Sequence, residues 1–418
     1  MNKVILTFLG LLILSGCASV ATSNLTKARQ SFANDKFVES ASTVSGGTDL
    51  KQQNSMQLLI TGLAQFQAKN YTQSDNAFEE FNKRNIDTIG GSAIREVKNL
   101  IGGNMASEYK PSMMDSLFVS YYQIWDALGD NRTDDVRVII NQSYARQQDM
   151  SRAYADMVEK NNSKISDKNS ELMSTLQQQK STWAAYTDIM NPALMYLSGV
   201  WFLTHGDFND AQTYLKRASG MSNNNVFVET DLNLAEQNKK PTDTTWIFVE
   251  SGFAPMLKQE QLSLPVITGK GTVIASIAIS EPVFNNSAPV NWATPLADVN
   301  AMFMTEFNQY RINDALRAFT SASARAVAQA AAYNSKSHLS SLIGMGTTLC
   351  TLPTTDAEVR SWVTLPETIS VLRLKTANLI DSGLSDKLGT DINFPTSGNY
   401  LIYVRLTEST PIVHMFKI

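Results

Sequence analysis

The chain has 418 residues, with 35 Lys and Arg against 39 Asp and Glu and a net charge of −4. At ~100–200 residues per domain this length leaves room for two or three domains with sizeable cores, and it excludes a small scaffold that depends on staples. Residues 18–240 carry 22 basic and 25 acidic side chains and residues 241–418 carry 12 and 14, so neither half has the basic excess that neutralises phosphates, and nucleic acid is not an expected partner.

Lys3 is followed by Val4–Leu14, eleven residues without charge. A membrane-spanning helix needs ~20 such residues, so the run reads as the core of a removable leader over residues 1–16. Leu14-Ser15-Gly16-Cys17 resembles the bacterial lipobox, which implies cleavage before Cys17, a diacylglyceryl group on its sulfur and an acyl chain on the new amino terminus. The alternative is an ordinary secretory leader whose small-residue site ends in cysteine. Several acyl chains, at ~0.8 kcal/mol per buried methylene, make a stable membrane anchor. Ala18, where an aspartate would retain the protein, resembles the signal for export to the outer membrane. The expected location is therefore the bacterial outer membrane, lipid-anchored through Cys17, with residues 17–23 as a tether and the body facing the periplasm. Cys350 then has no partner for an internal disulfide and is expected as a buried packing thiol.

Residues 24–238 have helical periodicity and only two prolines, Pro111 and Pro192. Leu59, Leu63 and Phe66, then Tyr71, Phe78 and Phe81, fall on two amphipathic helices separated by Lys69-Asn70. The layout returns after Asn191-Pro192, with His205-Gly206-Asp207 as the turn. A third hairpin runs over Ser116–Leu128 and Thr133–Tyr154, with a solvated helix or elbow after it from Asn161 to Lys180. The hairpins resemble the tetratricopeptide repeat, whose interlocking slots hold Gly62, Tyr71, Ser74 and Phe78 in one copy and Gly199, Phe208, Ala211 and Leu215 in another. The fold class expected is multidomain: an N-terminal all-α tetratricopeptide-like solenoid, then an α+β domain.

The helical pattern stops at Lys239-Lys240-Pro241, where a boundary is placed before a domain of residues 241–418. Thr245–Glu250, Leu262–Ile267 and Thr272–Ile279 read as strands, and Thr268-Gly269-Lys270-Gly271 between the last two as a hairpin turn rather than a phosphate loop. A pair of helices is expected at Leu296–Gln309 and Asn313–Asn334, the second rich in alanine for close packing. Strands resume at Thr368–Lys375, Tyr400–Leu406 and Ile412–Phe416.

Four segments resemble a functionally uncharacterised family of bacterial outer-membrane lipoproteins: Asn191–Asp207, Gly252-Phe253-Ala254-Pro255 with Lys258 and Glu260, Arg311–Ala332, and Arg360-Ser361-Trp362 with Leu365-Pro366. The resemblance implies work in the cell envelope and, as a partner, a cell-wall synthase activator system.

No catalytic motif is recognised, and no enzyme activity, cofactor or metal is expected. His205, His338 and His414 stand apart from one another without ligand spacing, and no nucleophile elbow occurs. The expected function is a non-enzymatic scaffold that receives an envelope protein or peptide in the helical groove, with Gln65, Tyr122 and Trp201 as exposed groove positions or, equally, as core between repeats. Arg360 and Trp362 are candidates for a contact surface, against a structural role in which Trp362 packs a core edge and Arg360 pairs a local carboxylate. The rival is an enzyme or binding module for peptidoglycan or another glycan that uses the α+β domain.

Overall fold

The structure is a computed structural model and describes residues 23–85, 109–163, 172–174, 176, 190–223, 225–268, 271–333 and 357–418. Cys17, His338 and Cys350 lie outside the described residues.

The first half is helical. A helix over residues 23–33 (α1) turns into α2, Phe37–Ser45, and α3, Ser55–Gln67, turns into α4, Tyr71–Asn85. Then follow α5, Met113–Gly129, and α6, Thr133–Ser163, with α7, Pro192–His205, α8, Phe208–Met221, and α9, Val226–Glu236. Local chemistry sets the ends. Asn54 and Gln57 form a reciprocal capping box that starts α3. Asn191 accepts from the Ala193 and Leu194 N–H groups, with Pro192 in the first turn, and Gly206 closes α7 at φ +85°.

The glycine slots read from the sequence hold the hairpins together. A Cβ on Gly62 would lie 2.5 Å from the Phe78 ring, and one on Gly199 would lie 2.6 Å from Leu215. Each glycine therefore lets its helix approach the partner closely enough for that side chain to seat against bare backbone.

The second half contains a five-stranded mixed sheet in the order β4-β5-β1-β6-β7, formed by β1, Thr244–Ser251; β4, Thr294–Asp298; β5, Thr368–Lys375; β6, Tyr400–Arg405; and β7, Ile412–Lys417. The central β1 is buried throughout, antiparallel to β5 and parallel to β6. Strand alternation divides its side chains. Ile247 and Val249 enter a cluster with Leu379, Leu384, Leu388 and Phe394 from the segment that contains the short α11, Leu384–Leu388. Trp246, Phe248 and Glu250 face the helices instead: Phe248 packs its ring 5.4 Å from Trp125 and 5.7 Å from Tyr196.

One core thus runs from the helical half into the sheet, across the boundary at Lys239–Pro241. The side of α3, α5 and α7 that carries Phe66, Tyr122 and Tyr196 is covered by the chain's own strands. That is why α5 and α7 are buried on nearly every side rather than along one stripe.

Strands β2, Met256–Thr268, and β3, Gly271–Val283, form a separate antiparallel ribbon, longer than the sequence pattern indicates; the expected turn at Gly269-Lys270 lies outside the described residues. The expected helix pair is corrected to one helix, α10, Val299–Tyr333, preceded by the strand β4. Asp298 accepts from the Ala301 N–H and so starts the helix three residues after Leu296. The polar stretch at Arg311–Asn313 does not break it, because Arg311 is buried against Glu281 of β3 and Asn313 bonds back to the Gln309 carbonyl. Ala315, Ala318 and Ala322 let α10 lie close on Leu264, Ala275, Ile277 and Ile279 of the ribbon.

Candidate functional site

The first turn of α5 carries an unusual set of polar contacts. Ser112 and Asp115 cap each other's N–H groups, and the Tyr109 hydroxyl donates to Asp115 at 2.7 Å. The next two N–H groups, of Met113 and Met114, have no partner within the helix. Both donate to the carboxylate of Glu306, at 2.6 and 3.0 Å, so a side chain of α10 caps α5. Tyr310, one turn further along α10, also donates to Glu306. Burial pushes the Glu306 carboxyl up to about 7 despite these three donors, with the nearby Asp115 adding to the rise. Burial likewise raises Asp115.

This junction forms the end of a cleft of about 470 Å³ between α10, the β2–β3 ribbon and residues 357–365. Its walls are mostly apolar, from Leu257, Ile279, Phe303, Phe307, Ala315 and Ala318. Such a volume, with a few polar groups converging on an apolar lining, is the usual form of a binding site. The wall at 357–365 is pinned to the ribbon, since Ser280 donates to the Glu358 carbonyl at 2.6 Å and Gln259 accepts from the Ala357 N–H at 3.0 Å. Behind the cleft wall, the end of α6 braces α10: Tyr154 donates to the Thr305 carbonyl and Asn161 to Gln309.

Two sequence candidates line this cleft. Arg360 grips Glu358 through two bonds, at 2.7 and 2.5 Å, and lies over the Tyr109 ring. Trp362 is 2% exposed; its Nε1 donates to Thr364, and its ring lies about 6 Å from Phe78 and Tyr122. It forms the floor where the cleft meets the core.

The other three are elsewhere. Gln65 is half-buried and accepts from Asn70 at the end of α3. Tyr122 and Trp201 do not present an open groove, which corrects the groove reading and leaves the core reading that the sequence allowed equally. Tyr122 is fully buried with its hydroxyl on Glu250 of β1, and Trp201 is 4% exposed, stacked on His205 and beside Phe202. The physical reason is the same for both: an aromatic residue on an inner helix of the array meets another layer of protein. His414 is also buried, stacked on Phe66 with its Nδ1 against the Tyr71 hydroxyl.

Sequence reasoning missed Tyr109, Asp115, Glu306, Tyr310 and Asp314, all of which line the cleft. The usable signal was Glu306, Tyr310 and Asp314 at successive four-residue steps on an otherwise apolar helix face. Splitting α10 between Gln309 and Asn313 hid it. Among the described residues no group of three or more His, Cys, Asp or Glu is placed to hold a metal ion, and no helix is long and apolar enough to cross a membrane.

No protein-family model matches the chain, and neither curated proteins nor solved structures yield a match.

Proposed function

We propose that the protein is a periplasm-facing lipoprotein of the bacterial outer membrane, anchored by acyl chains on Cys17, that acts as a non-enzymatic adaptor by holding an extended segment of another envelope protein in the α10 cleft. The helical hairpins, read as a tetratricopeptide-like solenoid, are in this reading a framework that supports the sheet and one wall of the cleft.

The observation that carries the proposal is the placement of the cleft. Three of the four segments on which the lipoprotein resemblance rests contribute to its lining, through Ala254 and Pro255, through Arg311 and Ala315, and through Arg360 and Trp362. An extended peptide suits a lining that alternates apolar surface with polar groups, because its backbone amides and its side chains need different partners. The buried Glu306 is engaged by two N–H groups and a hydroxyl, which supports a structural carboxyl rather than a proton-transfer role.

Reversible crosslinking and pull-down of residues 18–418 test this, with the wild type compared with Ser321→Trp. Ser321 is exposed and lines the cleft, so the indole blocks it without disturbing the core. A partner held by the wild type and lost with Ser321→Trp supports the reading. A partner held equally by both, or none across growth conditions, overturns it.

One observation favours a second reading, a glycan-binding module: most of the cleft wall comes from residues 254–365. Because Tyr109–Asp115 supply another part of the wall, co-sedimentation with peptidoglycan is to be measured on the whole chain.

A further inference from the structure

The polar groups of the cleft are not equally engaged. Glu306, Tyr310 and Asp314 lie one turn apart along α10. Glu306 receives three donors. Asp314, further along and half-buried, accepts no hydrogen bond and joins no ion pair among the described residues. Two cations of the cleft already hold carboxylates: Arg311 is paired with Glu281, and Arg360 with Glu358. Among the described residues, the cleft therefore offers apolar surface leading to a carboxylate that lacks a hydrogen-bond donor.

We propose that the cleft receives a lysine side chain of the partner segment, with its methylenes along the apolar wall of Phe303, Phe307 and Ala315 and its ammonium on Asp314. This rests on the reading of the cleft as a peptide site and specifies what it selects. A lysine fits better than an arginine-rich or acidic segment for two reasons. Its slender stem buries methylenes while the head stays on the carboxylate. In addition, an acidic segment would meet the carboxylates of Asp314 and Asp115 along the same wall. The recognised segment is one lysine flanked by apolar residues.

Proton linkage follows. Burial pushes the Asp314 carboxyl up to about 6, with Glu358 adding to the rise and Arg317 on its own helix and Lys110 ahead of α5 opposing it. The other titratable groups along the wall are Glu306, Tyr310, Tyr109 and Asp115. A lysine ammonium keeps its proton throughout this range, so binding weakens as pH falls through about 6 and Asp314 becomes neutral.

The test uses residues 18–418 and three capped peptides, acetyl-Leu-Lys-Leu-amide and the same peptide with norleucine or glutamate at the centre, titrated by protein-observed NMR at pH 7.5 and pH 5. The lysine peptide is expected to bind roughly tenfold more tightly than either analogue at pH 7.5, as a charge-assisted hydrogen bond gives. That preference should shrink severalfold at pH 5 and disappear in Asp314→Asn, a substitution at a half-buried site that leaves the fold intact. Equal or tighter binding of the norleucine or glutamate peptide overturns the lysine assignment and leaves the cleft as a peptide site. So does a preference that survives Asp314→Asn. Binding of n-hexylammonium with no binding of any peptide overturns the peptide source in favour of a small amine. Failure of all four probes overturns both this assignment and the peptide-site reading beneath it.

Discussion

The Tyr122 hydroxyl donates to both carboxylate oxygens of Glu250, at 3.1 and 3.0 Å, and thereby joins α5 to the central strand of the sheet. Glu250 also accepts from the Tyr403 hydroxyl at 2.7 Å and faces the Arg405 guanidinium at 3.4 Å, all within the core. Tyr122→Phe leaves Glu250 two donors and is expected to lower stability by about 1–2 kcal/mol. Glu250→Ala strands a buried guanidinium and should cost about 3–5 kcal/mol. Urea unfolding measures both. Because the core is continuous, helical circular dichroism and tryptophan fluorescence should report a single coincident transition in the wild type.

The glycines separate steric need from helix propensity. In Gly62→Ala and Gly199→Ala the new methyl group meets Phe78 or Leu215 below contact distance, and overpacking of this kind costs about 1–3 kcal/mol. Gly220, inside α8, has nothing within 4 Å of the same position. Gly220→Ala should raise stability by up to about 1 kcal/mol. Equal effects at the three sites, read from urea midpoints, would show that the hairpins are not locked by the two glycines.

Glu306 gives stability a definite dependence on pH. Its folded pKa, about 7, lies above the ordinary 4.5, so the folded chain holds the proton more tightly than the unfolded chain. The stability gained is fully present below about 4.5 and is lost as pH rises through about 7, with a span on the order of 3 kcal/mol. The stability of the wild type relative to Glu306→Gln should fall by that order between pH 4.5 and pH 8.

His414 acts in the opposite direction. Burial, aided by Lys69, brings its pKa from 6.5 down to about 3, so the folded state excludes the proton that the unfolded state accepts. Its contribution is intact above about 6.5 and declines as pH falls toward about 3. Relative to His414→Phe, which keeps a ring against Phe66, the wild type should lose about 2–3 kcal/mol on acidification from pH 7 to pH 4.5. Difference curves for the two variants that slope the same way would contradict both assignments.

Cys17 is open to a direct test. Expressed with its leader, the chain should partition into the detergent phase and pellet with outer membranes, and Cys17→Ser should move it to the aqueous fraction. Unchanged partitioning would remove the lipid anchor from the proposed function.

The hairpins were legible in the sequence because Gly62, Phe78, Gly199 and Leu215 report close helix contact locally, within one supersecondary unit. The six strands given by β-branched runs were legible for a similar reason. The cleft was not, because its parts are remote from one another: Asp115 and Glu306 meet only in the folded chain. The helical side of the sheet could not be told from free surface, since the apolar residues of α3 and α5 look the same in sequence whether they await a partner or the chain's own strands. At α10 the error came from breaking the helix at Tyr310-Arg311-Ile312, where a buried ion pair from Arg311 to β3 carries it through.

Tyr71 meets His414 across 343 positions of the chain, and Phe66 stacks on the same imidazole. The helices made first therefore stay without the layer that covers them until the last strands have been synthesised. Throughout that interval Phe66, Tyr122 and Trp125 lack their strand partners, which leaves the helical half with apolar surface prone to aggregate. It also makes any truncation that removes β6 and β7 an aggregating species rather than a shortened functional one.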